Sequence, residues 1–242
     1  MKTGTLYGIG VGPGEPDLMT VKGAKILAKC PHVFVPKARQ EADSLALSIA
    51  KEHVGPGAQI HELLFPMTTD KQELETRWTE SAGVIAEVLK RGEDACFLTL
   101  GDTLLYSTYI YMLRALRRLI PDVNVVTVPG ITAFSAAAAL SEFPVGEAKE
   151  TITIVPTADD LDEVSRAIKA GGTVVLMKIG KRLDRILEIL ESTGAIGRSV
   201  FVSRAGLPQQ RIVTDMNLLR GEDADRGYLS VILIRGQGEG IS

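Results

Sequence analysis

This 242-residue chain has only two cysteines, three histidines and one tryptophan, and aromatic residues make up 5% of it. The cysteines, Cys30 and Cys96, have no cysteine or histidine at ligand spacing, so neither a disulfide framework nor a zinc site is legible. No histidine has a partner at i+3 or i+4, and His32, His53 and His61 read as structural residues. Long apolar runs are missing too. The most apolar stretch, 133–140, is far short of the ~20 residues that a membrane span needs. The first residues, Met1 to Gly4, lead at once into a β-like stretch without the apolar core of a signal peptide, so the expected location is the cytoplasm. Nor is there a charge of one sign: 27 Lys and Arg face 30 Asp and Glu, for a net charge of −3. That balance gives no global drive toward nucleic acid or anionic lipid. With 45% hydrophobic and 24% charged residues, the composition is that of a folded globular protein.

In the first half, short apolar runs alternate with helical patterns. Strands are expected over 5–9, 32–35, 59–65, 95–100 and 123–128, with helices near 21–28, 44–53, 72–90 and 106–119. This is a βαβ series, and ligands of such open sheets bind beyond the carboxyl ends of the strands. Residues 142–150 read as a connection. Strands at 151–155, 173–177, 199–203, 211–214 and 228–234 follow, with helices at 160–169 and 183–192. Because the last two strands have no helix between them, the second sheet should be mixed. The expected fold is therefore α/β with two domains, 1–145 and 146–242, the first on a mostly parallel sheet and the second on a mixed one.

Three features fall at the expected carboxyl ends of first-half strands. Gly8, Gly10, Gly12 and Gly14 alternate directly after the first strand, yet Pro13 and Glu15 occupy positions where a dinucleotide fingerprint needs glycine. No Gly-Lys-Ser/Thr follows, so a P-loop is excluded as well. The loop is either a tight β-to-α turn or a close approach to a ligand. Next, Gly101-Asp102 precedes Tyr106 and Ser107, and the carboxylate could either cap the following helix or accept hydrogen bonds from a ligand. Finally, Pro129-Gly130 ends a strand before a helix of small residues, which suits core packing or close contact with a ligand. Separate turns would scatter between the two edges of a sheet. These three converge on one rim, which marks that rim as a site.

The rim has a carboxylate, hydroxyls and backbone groups but no dedicated nucleophile. No Gly-x-Ser-x-Gly elbow occurs in the chain. Such a pocket suits a reaction whose donor is already activated.

The loop 8–20, the Gly101-Asp102 turn with Tyr106, Ser107 and Thr108, the turn Val128 to Thr132, and Val175 to Lys178 resemble, in order and spacing, the tetrapyrrole (corrin/porphyrin) methyltransferase family. Residues 6–14, 101–108 and 177–180 most resemble its branch that methylates C-20 of precorrin-2 or of its cobalt-bearing counterpart. The resemblance implies S-adenosylmethionine as methyl donor, an active-site cleft between the two domains and a homodimer. It places the donor against Pro13, Leu100, Gly101, Asp102, Thr132, Ala133 and Met177, with Ala205 and Ser230 as looser matches. Asp102 is expected to orient donor or substrate, and no catalytic base is assigned. Thr103 departs from the pattern, because relatives commonly have proline after Gly-Asp.

A tetrapyrrole substrate carries many carboxylates and calls for cations. Lys37, Arg39, Lys178 and Arg204 are the candidates, and Tyr106 could stack on the macrocycle, whereas Tyr109 is expected to pack in the core. No protein-bound metal, nucleic acid or membrane partner is expected, and cobalt would enter only with the substrate. Competing readings are a methylase for C-11, C-17, uroporphyrinogen III or ribosomal RNA, and a non-catalytic tetrapyrrole binder.

Overall fold

The computed structural model describes residues 3–37, 43–65, 68, 70–156, 161–221 and 227–236. The chain divides into two compact units, Met1–Thr132 and Ala133–Ser242. The expected boundary at 145 is therefore corrected. The helix of small residues, α5 (Ala133–Leu140), packs against the last strand of the second unit, and it belongs there rather than with the sheet that precedes it.

The first unit is built on a five-stranded parallel sheet: β1 (Thr5–Gly10), β2 (His32–Lys37), β3 (Gln59–Leu64), β4 (Ala95–Thr99) and β5 (Asn124–Val128), in the order β3-β2-β4-β1-β5. All five residues of β4 are buried, as a central parallel strand covered on both faces must be. Its alternate side chains feed two cores. Phe97 packs with α3 (Lys71–Lys90) and α4 (Thr108–Leu119), while Cys96 and Leu98 pack with α1 (Val21–Leu27) and α2 (Leu45–Ala50). Side chains at the starts fix all four of these helices, Ser44 of α2 accepting from the Leu47 N–H at 3.4 Å. Thr20 accepts from the Gly23 N–H at 3.2 Å, Asp70 from the Gln72 N–H at 2.8 Å, and Ser107 from the Tyr109 N–H at 3.1 Å.

The chain leaves β1 through α1 on one face and leaves the neighbouring β4 through α4 on the other. That divergence makes a topological switch point between β1 and β4, where open α/β sheets leave a crevice.

The second unit has β6 (Ile152–Pro156), β7 (Thr173–Met177), β8 (Ser199–Ser203), β9 (Arg211–Val213) and β10 (Ser230–Ile234), in the order β6-β7-β10-β8-β9. β6 and β7 are parallel, whereas β10 runs antiparallel to both of its neighbours, so the sheet is mixed as expected. Helices α6 (Asp162–Ala170) and α7 (Leu183–Ser192) bury Val164, Ile168, Ile186, Leu187 and Leu190 against it.

At the amino-terminal rim of the first sheet, neighbouring strands bring together groups far apart in the chain. His32 Nδ1 lies 3.0 Å from His61 Nε2, His32 Nε2 lies 2.6 Å from Glu93 Oε2, and Arg91 Nε donates to Glu93 Oε1 at 2.6 Å. The His61 ring also stacks on Phe34, with centroids 4.5 Å apart. Burial, and then the electrostatic influence of the neighbouring His32 and of the Arg91 guanidinium, holds the His61 imidazole below its ordinary range. The hydrogen bonds from Arg91 and then His32 hold the Glu93 carboxyl low. For His61 the folded protein takes up the proton later than the unfolded chain. Its contribution is thus complete above about pH 6.5 and is lost as pH falls from there through the lowered folded value. Urea midpoints measured from pH 7.5 to 5.5 should fall, and His61→Phe should flatten the fall. An equal slope in that variant would exclude His61 as the source.

Candidate functional site

The switch-point rim of the first unit is made of three turns in mutual contact. After β1, the Val11 N–H donates to Thr99 O at 2.9 Å. Gly12 and Gly101 then exchange backbone hydrogen bonds, Gly101 N–H to Gly12 O at 2.8 Å and Gly12 N–H to Gly101 O at 3.3 Å. Both glycines take left-handed backbone conformations, with φ of 82° and 68°, that side chains other than glycine adopt at a cost. The turn after β5 closes on the same point. A β-carbon on Gly130 would lie 2.1 Å from the Gly101 oxygen, and one on Gly10 would lie 2.6 Å from that oxygen and 2.6 Å from the Gly130 nitrogen.

Asp102 spans two of these turns. Its Oδ1 accepts from the Leu104 N–H at 2.8 Å and its Oδ2 from the Gly130 N–H at 3.0 Å. It does not cap α4, a role that Ser107 fills. The buried Thr103 also reaches across, donating from Oγ1 to Val128 O at 3.5 Å. Below the rim, Thr99 Oγ1 lies 2.9 Å from Ser107 Oγ. Tyr109 is fully buried and its hydroxyl lies 3.0 Å from Thr127 Oγ1, so it is a packing residue, and burial raises its pKa. Tyr106 has φ 52° and is partly exposed, which puts it ahead of α4 rather than inside the helix expected from 106.

The second unit has a comparable rim. Pro156 and Val231 pair with Met177, and Ser230 pairs with Ser203, so the ends of β6, β7 and β8 meet the start of β10. Three residues other than glycine take left-handed conformations here: Lys178, Arg204 and Leu229, with φ of 56°, 51° and 52°. The Arg204 N–H donates to Leu229 O at 2.8 Å, which ties two of these turns together, and Ser230 Oγ donates to Gly227 O at 2.7 Å. Each of the three is a chain neighbour of a residue singled out in the sequence: Met177, Ala205 and Ser230.

A family model described as Tetrapyrrole (Corrin/Porphyrin) Methylases matches residues 5–218. The chain belongs to this family. Its relatives include the cobalt-precorrin-2 C(20)-methyltransferase of Salmonella typhimurium, 32% identical over 236 residues that cover 98% of both chains. The precorrin-2 C(20)-methyltransferase of a Sinorhizobium species is 27% identical over 96% of both. Among solved structures, a cobalt precorrin-4 methyltransferase superposes with a TM-score of 0.76 at 24% identity, covering 96% of this chain and 94% of that one. The uroporphyrin-III C-methyltransferase of Thermus thermophilus, solved with S-adenosylhomocysteine, gives a TM-score of 0.63 at 21% identity, covering 96% and 97%.

In this tetrapyrrole methylase most of the described residues expected from sequence lie on two rims, each within its own unit. Pro13, Leu100, Gly101 and Asp102 gather around the Gly12–Gly101 bridge, and Thr132 follows the Gly130 turn. Ala133 opens α5, while Met177, Ala205 and Ser230 share the rim of the second sheet. Lys37, at the end of β2, holds Glu62 at 2.9 Å. Arg39 lies outside the described residues. The sequence reading missed the Thr103 hydroxyl, the Gly130 N–H and Leu229. A threonine in place of proline was the only signal for the first. Among the described residues, no group of three or more His, Cys, Asp or Glu is placed to hold a metal ion, and no helix is long and apolar enough to cross a membrane.

Proposed function

We propose that this methylase transfers a methyl group from S-adenosylmethionine to C-20 of precorrin-2 or of its cobalt-bearing form, on the way to cobalamin. The observation that carries this reading is the full-length likeness to C(20)-methyltransferases in a chain whose β1, β4 and β5 turns close into one glycine-lined rim. The residues suit the donor: positive-φ glycines at 12 and 101 let backbone groups come close to a ligand.

When bound, S-adenosylmethionine supplies a methyl group already activated on a sulfonium sulfur. The protein's task is alignment and exclusion of water. The meso carbon of the tetrapyrrole is electron-rich through its pyrrole nitrogens, so its electron pair forms the new carbon–carbon bond as the carbon–sulfur bond breaks. The pair of that bond stays on sulfur, leaving S-adenosylhomocysteine, and the proton at C-20 is released to solvent. On the first unit we assign the donor to Pro13, Leu100, Gly101 and Thr132, with Asp102 orienting it. On the second, Ala133, Met177, Ala205 and Ser230 are assigned in the same way. Lys178 and Arg204 are assigned to substrate carboxylates and Tyr106 to the macrocycle face. Lys37 is a weaker candidate, because the Glu62 carboxylate already takes its ammonium. Cytoplasmic location and a homodimer belong to the same proposal.

The test is a single-turnover assay with labelled S-adenosylmethionine, offering cobalt-free and cobalt-bearing dipyrrocorphins and locating the new methyl by carbon NMR. A methyl at C-20 is expected. A methyl at another carbon would overturn the C-20 assignment but leave the donor in place, and no transfer to either macrocycle would overturn the reading as a whole.

A further inference from the structure

Asp102 is a carboxylate at the rim of a site assigned to a cationic donor, and its first reading is as a ligand for that donor. Its hydrogen bonds point elsewhere. One oxygen holds the N–H of Leu104 in its own turn and the other holds the N–H of Gly130, 28 positions along the chain in the turn after β5. The next residue makes a second tie between the same two segments, through Thr103 Oγ1 and Val128 O. Thr103 is 1% exposed and out of reach of any ligand, so its tie can matter only through the position of the turns. A proline there would fix its own φ but offer no hydroxyl to reach β5.

The two ties hold a contact that has little slack. Gly130 sits so close to the Gly101 carbonyl that no β-carbon fits between them, and Gly101 is itself hydrogen-bonded to Gly12. Release of the Gly130 N–H would leave a half-buried backbone donor without its acceptor and let the β5 turn move off the β4 turn. We infer that Asp102 and Thr103 form a two-point strap that sets the width of the donor crevice, with Asp102 a positioning residue rather than a direct ligand. This rests on the reading of the rim as the S-adenosylmethionine site.

The test is calorimetric binding of S-adenosylhomocysteine to wild type, Asp102→Asn, Thr103→Val and the double variant, with urea midpoints and amide exchange at Gly130 measured on each ligand-free protein. Asparagine keeps an acceptor for Leu104 but turns an NH2 group toward the Gly130 N–H. Asp102→Asn should weaken binding by about ten- to a hundredfold, the range for a charge-assisted hydrogen bond, and should speed exchange at Gly130. Thr103→Val should weaken it by roughly two- to fivefold, in line with a long neutral hydrogen bond. The double variant should lose less than the product of the two, because both residues hold one turn. In turnover, KM for the donor should rise while KM for the tetrapyrrole stays put, a split that general destabilisation does not give.

Unchanged affinity in Asp102→Asn with wild type binding normally would overturn the strap alone. Strictly multiplicative losses, or a loss seen with S-adenosylhomocysteine but not with 5′-methylthioadenosine, would also overturn it, the latter by showing that the carboxylate contacts the amino-acid end of the donor. Wild-type protein that does not bind S-adenosylhomocysteine would overturn the donor-site reading, and the strap with it. If Asp102→Asn folds poorly, Thr103→Val and its donor KM decide.

Discussion

Gly130→Ala should cost about 2–3 kcal/mol of folding stability, the usual range for overpacking a rigid site, and should slow methyl transfer by roughly a hundredfold, the penalty for a misplacement near 1 Å. The added methyl carbon would lie 2.1 Å from the Gly101 oxygen and 2.8 Å from the backbone of Gly10. Neither neighbour can yield. Gly10 is in the ladder that pairs it with Thr99, and Gly101 is hydrogen-bonded in both directions to Gly12. The turn after β5 must therefore move, and with it the Asp102–Gly130 bond. Gly83→Ala is the matching control. It adds the same carbon inside α3 with nothing within 4 Å, and it should stabilise the protein by ~0.5–1 kcal/mol through helix propensity. Urea midpoints and S-adenosylhomocysteine titration on the two variants check both signs. Loss of transfer in Gly130→Ala with an unchanged midpoint would show that the crowding is relieved locally and that only the site is deformed.

The elements themselves were legible because their causes are local. Thr20 and Asp70 cap the helices that their positions announce, and the β-rich runs became strands to within a residue or two. The convergence of three turns on one rim followed from parallel topology, since all carboxyl ends of such strands lie on one side. What could not be read was contact between segments distant in sequence. The histidines had no helical ligand spacing, yet His32 and His61 meet because β2 and β3 run side by side. Cys30 and Cys96, likewise unremarkable in spacing, form a buried pair in which the hydrogen bond between the thiols, together with burial, pushes the Cys96 thiol up. The boundary at Thr132 was missed for the same reason. A run of alanines shows that a helix will pack closely, but only the position of β10 decides which sheet receives it. Asp102 illustrates the point at the site itself. Its neighbours in sequence suggested a helix cap, while its second partner, Gly130, is supplied by the turn after β5.

Left-handed backbone at Lys178, Arg204 and Leu229 was invisible for a different reason: nothing in a lysine, arginine or leucine announces positive φ. Such a conformation costs an L-residue roughly 1–2 kcal/mol, and glycine would adopt it freely at an unfolded-state penalty of ~0.4–1 kcal/mol. Lys178→Gly and Arg204→Gly should therefore each raise stability by about 0.5–1 kcal/mol. A protein that forgoes this gain at adjacent strand ends retains those side chains for another use, and two of the three are cations on the rim assigned to a polycarboxylate substrate. The double glycine variant should accordingly bind the tetrapyrrole about a hundredfold more weakly, as loss of two charge-assisted contacts implies, while its affinity for S-adenosylhomocysteine changes far less. Added salt should weaken wild-type tetrapyrrole binding more than that of the variant, because the variant has already lost the charges that salt screens. Opposite movement of stability and substrate affinity is the signature of strain kept for function. Stability that falls would mean that contacts of the two side chains outweigh the backbone cost, and an unchanged tetrapyrrole affinity would place the substrate's carboxylates against other groups.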